Sequence, residues 1–206
     1  MPGQNPALHI VAKETPDQNW VVGGGWHSDH SYCVEPVMGT VLIARKVPDS
    51  GGDTLWINTA KAYDGLSEGL KRTLLGLRAL HKKSHGRGGR YTPEGKIPSA
   101  MGPLEDEEAW HPVVTRHPEN GRNVLFINPT NTSHFEGWTR EESEPLLHYL
   151  ARHAQRPEYM CRFRWRKNSI AFWDNRQTWH FAVNDYGAKE RVMHRLMISG
   201  RAPVAA

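Results

Sequence analysis

Between residues 159 and 166 the chain alternates: Cys161, Phe163 and Trp165 against Arg162, Arg164 and Arg166. Successive side chains of a strand point to opposite faces, so this pattern predicts a half-buried strand with the cysteine on its inner face. Residues 37–47 are dense in Val, Leu and Ile and predict a second strand. Shorter apolar runs predict strands at 20–22, 54–57, 78–84, 170–173 and 192–199. Pro48-Asp49-Ser50-Gly51-Gly52-Asp53 is a turn cluster between two of them. Residues 112–117 and 123–128 flank Pro118-Glu119-Asn120-Gly121, the layout of a hairpin. Short helices are expected after Asn58 and Ser67, whose side-chain oxygens suit an N-cap. Thr139-Arg140-Glu141-Glu142 matches a capping box, and the helix it opens places Leu146, Leu147 and Leu150 on one face.

Two stretches carry no period. Residues 1–19 contain three prolines and read as an arm or loop. Residues 85–110 are polar and rich in glycine and proline, the composition of a functional lid or a disordered segment. Many short strands, few helices and no βαβ alternation predict a mainly β fold with flanking helices, an antiparallel sandwich or jelly roll.

Composition narrows the picture. A chain of 206 residues suits one domain, 1–206, and is short for two. The 8 tryptophans make a core feasible. Nothing apolar is long enough to cross a bilayer, and the first residues lack the layout of a signal peptide. Cys33 and Cys161 are the only cysteines, which argues against a disulfide framework; both are expected to be reduced and buried. A cytoplasmic protein with no membrane partner follows. The net charge of +4 admits nucleic acid as a partner, but the one dense basic cluster, Lys82, Lys83, Arg87 and Arg90, is interleaved with Gly and His. It reads as a solvated loop, or as a mildly positive setting for a small anion, rather than a nucleic-acid patch.

The chemistry starts at Gly23-Gly24-Gly25-Trp26-His27-Ser28-Asp29-His30. In an extended segment His27 and Asp29 point to the same side. A third ligand on a distant strand would complete a two-His-one-carboxylate face with open positions opposite, the set used by non-haem Fe(II) oxygenases. His180, at the end of Trp173-Asp174-Asn175-Arg176-Gln177-Thr178-Trp179-His180, offers it. In a chain with 12 histidines, His27-Ser28-Asp29 alone also suits a turn with a solvated imidazole. In the final strand Arg191, Met193, Arg195 and Met197 share a face, with the two arginines about 13 Å apart. Facing inward they require anions; on an edge strand they would sit in water.

The sequence resembles the taurine dioxygenase (TauD/TfdA) family of Fe(II)- and 2-oxoglutarate-dependent dioxygenases, built on a double-stranded β-helix. The matching segments run in order from about residue 26 to 200: Trp26-His27-Ser28-Asp29, Ser50 to Trp56, His111-Pro112-Val113-Val114, Trp173-Asp174-Asn175-Arg176, His180, and Arg191 to Arg195. The resemblance implies iron ligation by His27, Asp29 and His180. It implies that Thr54 and Arg191 grip the distal carboxylate of 2-oxoglutarate, and that Arg195 binds a substrate anion. A guanidinium fork and a hydroxyl suit carboxylates. Asp174 and Asn175 are candidates to support His180, or simply make a turn. The implied reaction uses O2 and 2-oxoglutarate, gives succinate and CO2, and hydroxylates a substrate carbon; if that carbon bears a sulfonate, sulfite leaves.

Only 26 residues precede His27, whereas the family carries a substantial portion there, so the chain is expected to be short at its N-terminus. That predicts an exposed sheet edge, lower stability than longer relatives and a tendency to form homo-oligomers. The reading that accounts for most residues is a dioxygenase acting on a small anion, first a taurine-like alkyl sulfonate, then an alkyl sulfate or aryloxyalkanoate. A non-catalytic remnant that still binds metal or 2-oxoglutarate is a second reading. A zinc hydrolase is a third, and it leaves Thr54 and Arg191 without a role.

Overall fold

Alternating side chains build two facing sheets, and the site lies between them. The structure is a computed structural model that describes residues 8–13, 21–83 and 108–206. Its strands are β1 (His9–Lys13), β2 (Gly39–Lys46), β3 (Thr54–Asn58), β4 (Arg78–Lys82), β5 (Glu108–Pro112), β6 (Val114–Arg116), β7 (Asn123–Leu125), β8 (Thr132–Phe135), β9 (Met160–Phe163), β10 (Ile170–Asp174), β11 (Thr178–Ala182) and β12 (Arg191–Ile198). Three α-helices accompany them: α1 (Thr59–Asp64), α2 (Glu68–Leu74) and α3 (Arg140–Ala154). The main sheet has the order β1-β12-β2-β10 and the second β11-β3-β9. A third, β5-β4-β8, and the β6–β7 hairpin complete the described strands. Mainly β, antiparallel and with helices to one side, this is the jelly-roll class that the pattern predicts.

Strand β3 shows how the period of two creates two cores. Trp56 faces a cluster with Leu42, Ala44, Trp165, Trp173 and Met193. Its neighbour Ile57 faces the opposite way, into a cluster with Leu74, Phe135, Leu150 and Trp179. The second cluster is closed by the helices. Asn58 accepts from Lys61 N–H at 2.9 Å and Ser67 from Leu70 N–H at 3.3 Å, so both expected caps form. The Thr139 box is complete in both directions, and Leu150 is buried while Leu146 and Leu147 pack half-buried.

Several expectations are corrected. Residues 1–19 do not form only an arm: His9–Lys13 is a strand whose backbone pairs along β12, from His9 opposite Arg195 to Lys13 opposite Arg191. Residues 21–22 open a turn closed by Gly24 N–H to the Val21 carbonyl at 3.2 Å, because Gly23 at φ +84° reverses the chain there. The candidate lid lies outside the described residues except for 108–110, which belong to β5. Cys161 is exposed and Cys33 half-buried. β9 ends the order of the second sheet among the described residues, and Cys161 and Arg162, on its opposite faces, are both exposed. The main sheet ends at β1 and β10, and on β10 Ile170 and Phe172 are 62% and 60% exposed, leaving its outer face open. Among the described residues no helix is long and apolar enough to cross a membrane.

Candidate metal centre

His27 and His180 are neighbours through their backbones. Each N–H donates to the other's carbonyl, at 3.2 and 2.8 Å, an isolated antiparallel bridge that lays His27 alongside β11 on the side away from β3. The imidazole centroids are 4.0 Å apart. Gly23 folds back over His27: a Cβ there would stand 3.2 Å from His27 Cε1, so the glycine run supplies both the turn and the room. His27 Nδ1–H donates to the Gly25 carbonyl at 2.7 Å, which leaves Nε2 with a lone pair. Nε2 of His27 and Nε2 of His180 each lie 3.6 Å from Asp29 Oδ1. The three atoms lie within 4.8 Å of one another.

The electrostatics favour ligation. Burial pushes the His180 imidazolium down to about 4, and the neighbouring His27 adds to that, so His180 is neutral at physiological pH. Burial alone would raise Asp29, but His180, His27 and Arg195 outweigh it and hold the carboxyl well below the usual carboxylate range. Asp29 Oδ2 accepts from Thr40 Oγ1–H at 2.7 Å. Asn175 accepts from Asp29 N–H at 3.2 Å. Asn175 thus supports Asp29, not His180 as its place in the sequence suggested. His180 packs instead against Trp173, with centroids 4.8 Å apart. Neither Thr40 nor this use of Asn175 was singled out in the sequence.

The two arginines of β12 point inward. Arg195 Nη1 is 3.6 Å from Asp29 Oδ1 and its Nε has no partner among the described residues. Arg191 Nε donates to the Gly52 carbonyl at 3.0 Å, while its buried Nη2 is unpaired among the described residues. Burial lowers the Arg191 pKa from its ordinary value. Thr54, two residues past Gly52, is buried and accepts from Trp165 Nε1–H at 2.9 Å, which leaves its own hydroxyl proton to donate. Unspent buried donors on two guanidinium groups and a hydroxyl are the feature an anion would satisfy. The residues present therefore fit both a divalent metal and a carboxylate.

Beside Asp29 lies a cleft of about 540 Å³, bounded by Ser28, Met38, Phe126, Asn175 and the segment 199–204. That segment is held in place. Arg116 N–H donates to the Val204 carbonyl at 2.9 Å and Ala205 bridges Thr115.

A second gathering of ligand types comprises His117, Glu119 and Asp174. Asp174 meets His117 Nε2 at 2.8 Å and takes Arg176 in a fork, with Nε to Oδ1 at 2.8 Å and Nη2 to Oδ2 at 2.7 Å. Arg176 Nη1 also donates to Glu119 at 2.8 Å. His117 Nδ1 accepts from the N–H groups of Glu119 and Asn120, both at 3.3 Å. These lone pairs are already committed.

Comparison with known proteins agrees in scope. The family "Taurine catabolism dioxygenase TauD, TfdA" matches residues 2–197. An alkylsulfatase of Acinetobacter baylyi is 32% identical over 204 residues, 94% of this chain and 62% of the relative. A 2,4-dichlorophenoxyacetate dioxygenase, alpha-ketoglutarate-dependent, of a Burkholderia species is 37% identical over 85% of this chain and 58% of its own. The crystal structure of a taurine dioxygenase from Burkholderia xenovorans superposes with a TM-score of 0.80 at 33% identity, covering 97% of this chain and 64% of that one. The chain thus spans about three fifths of the length of these relatives.

Proposed function

The chain belongs to the TauD, TfdA family of taurine catabolism dioxygenases, and on that premise we propose that it is an Fe(II)- and 2-oxoglutarate-dependent dioxygenase hydroxylating a small anion. The observation that carries this reading is the convergence of His27 Nε2, His180 Nε2 and Asp29 Oδ1 below two inward arginines. His27, Asp29 and His180 would hold Fe(II). Bound there with 2-oxoglutarate, the iron supplies O2 activation, coupled to loss of CO2 and formation of succinate.

The chain's own residues do the positioning. Two neutral imidazoles and one carboxylate leave a single positive charge on a divalent ion and free positions opposite. Arg191 and the Thr54 hydroxyl would hold the distal carboxylate of 2-oxoglutarate. Arg195, within 3.6 Å of Asp29, would bring a second cation to the substrate's anionic group. Trp173 against His180 and Trp56 behind it keep water from that side. We assign a taurine-like alkyl sulfonate, releasing sulfite, as first substrate. Relatives named for an alkylsulfate activity and for 2,4-dichlorophenoxyacetate make an alkyl sulfate and an aryloxyalkanoate the next candidates.

The test is anaerobic titration with Fe(II) and then 2-oxoglutarate, followed by O2 with taurine, an alkyl sulfate or an aryloxyacetate in turn. A visible charge-transfer band on adding 2-oxoglutarate, and succinate released with one of the three, supports the reading. Folded protein with no band would leave a non-catalytic remnant as the better account.

A further inference from the structure

A carboxylate offers two oxygens to a metal, and taking both would use up a position that a chelating co-substrate needs. Three side chains around Asp29, with its own backbone N–H, decide which oxygen is offered. Trp173 Nε1 can only donate, and it donates to Asn175 Oδ1 at 3.1 Å. The Asp29 backbone N–H, also donor only, meets the same oxygen at 3.2 Å. The Asn175 amide is therefore fixed in one orientation: flipped, its NH2 would face two donors. In that orientation Nδ2 donates to Thr40 Oγ1 at 2.9 Å. A hydroxyl has one proton, and with Asn175 donating to its oxygen, Thr40 directs that proton to Asp29 Oδ2 at 2.7 Å. Oδ1 alone remains on the side of the two imidazoles.

The arrangement is buried: Thr40, Asn175 and Asp29 are 0%, 2% and 4% exposed. Strand pairing sets the spacing, since Trp173 lies directly opposite Thr40 in the β10–β2 register. Asn175 N–H donates to the Met38 carbonyl at 2.9 Å, which ties the turn after β10 to the start of β2.

We propose that Trp173, Asn175 and Thr40 form a one-way hydrogen-bond relay that holds Asp29 to a single ligand oxygen, so that Thr40 and Asn175 are positioning residues for co-substrate binding rather than for metal binding. The inference rests on the dioxygenase reading. It predicts a separation of two affinities that a loosened site would not show. Thr40→Val removes the proton donor at nearly constant shape and frees Oδ2 to turn toward the metal.

The experiment measures, in the absence of O2, the affinity for Co(II) alone and then the affinity of the Co(II)-loaded protein for 2-oxoglutarate, in wild type, Thr40→Val, Thr40→Ser and Asn175→Asp. Thermal melting of each metal-free protein checks folding. For Thr40→Val the expected result is Co(II) affinity within about threefold of wild type and 2-oxoglutarate affinity down about tenfold or more. Thr40→Ser, which restores the hydroxyl, should return both to within about threefold. Asn175→Asp, which turns the donor facing Thr40 into an acceptor, should behave like Thr40→Val. If both affinities fall together, or neither changes in Thr40→Val, the relay is overturned while the dioxygenase reading stands. Wild type that takes up no Co(II) would overturn both.

Discussion

Among the described residues, two places bring three ligand-type side chains within 4.8 Å, and they are wired in opposite senses. Around His27, Asp29 and His180, the hydrogen bonds go to the far atoms: Nδ1 of His27 to Gly25 and Oδ2 of Asp29 to Thr40. The near atoms stay open and face one another. Around His117, Glu119 and Asp174, the near atoms are the ones consumed, by Arg176 and by two backbone N–H groups. Ligand types in proximity are thus a weak criterion. What separates a candidate centre from a structural staple is which lone pairs the surroundings have left over. The two are also linked: adjacent residues of one turn, Asp174 and Asn175, reach into the second and the first respectively.

The difference can be broken at several points, the strongest first. Asp29→Ala should lower Co(II) or Fe(II) affinity by about 100-fold or more, whereas Asp174→Ala should leave it within a few-fold; direct titration of both variants reads this. A result in which the two variants weaken metal binding alike would erase the distinction.

Acid should reveal the neutral imidazoles next. His180 and the buried His81 are held at about 4 and about 3 against an ordinary 6.5, burial being the first cause in both. The unfolded chain binds more protons than the folded one between those values, so stability falls as pH drops through that window and is fully present above about 6.5. Each histidine contributes about 2 kcal/mol of loss between pH 6.5 and 5. In the metal-free protein that lowers Tm by about 4–8 °C per histidine. Melting curves at pH 7, 6 and 5 check the sign, and a flat profile would contradict a neutral, buried His180.

Arg176→Ala tests what keeps the second cluster closed. It strands Asp174 beside His117 and should cost about 2 kcal/mol, discounted from the figure for a fully buried pair because both partners are partly exposed. Urea unfolding measures that. If Arg176 is what quenches the cluster, the variant should also take up a second, weaker equivalent of Co(II). Glu119→Gln is the smallest change: its carboxylate is exposed, and the urea midpoint should scarcely move.

How much of this could be read from the sequence follows from how local each feature is. The capping box at Thr139 and the caps at Asn58 and Ser67 involve residues three apart, so local pattern suffices. The His27–Asp29 pair is equally local, and the shared face of Arg191 and Arg195 follows from the period of a strand, while that the face is the inner one shows only in the fold. Strand β1 was missed because its pairing with β12 joins opposite ends of the chain and its five residues carry no alternation. Thr40 reads as an ordinary strand residue; its partner Asn175 is 135 positions away. Arg176 and Glu119 are separated by 57. Cys161 followed the alternation, but alternation assigns a face without saying whether anything covers it, and β9 is an edge.

The pinned segment 199–204 has a practical bearing on how this protein is handled. Arg116 holds the Val204 carbonyl and Ala206 N–H donates to the Val114 carbonyl at 3.2 Å, so the last residues line the hairpin that walls the cleft beside Asp29. A chelating tag introduced near Val204 would stand at that wall and bring a competing ligand next to His27, Asp29 and His180. Attachment to a surface is better made through the exposed thiol of Cys161, on the free edge of β9.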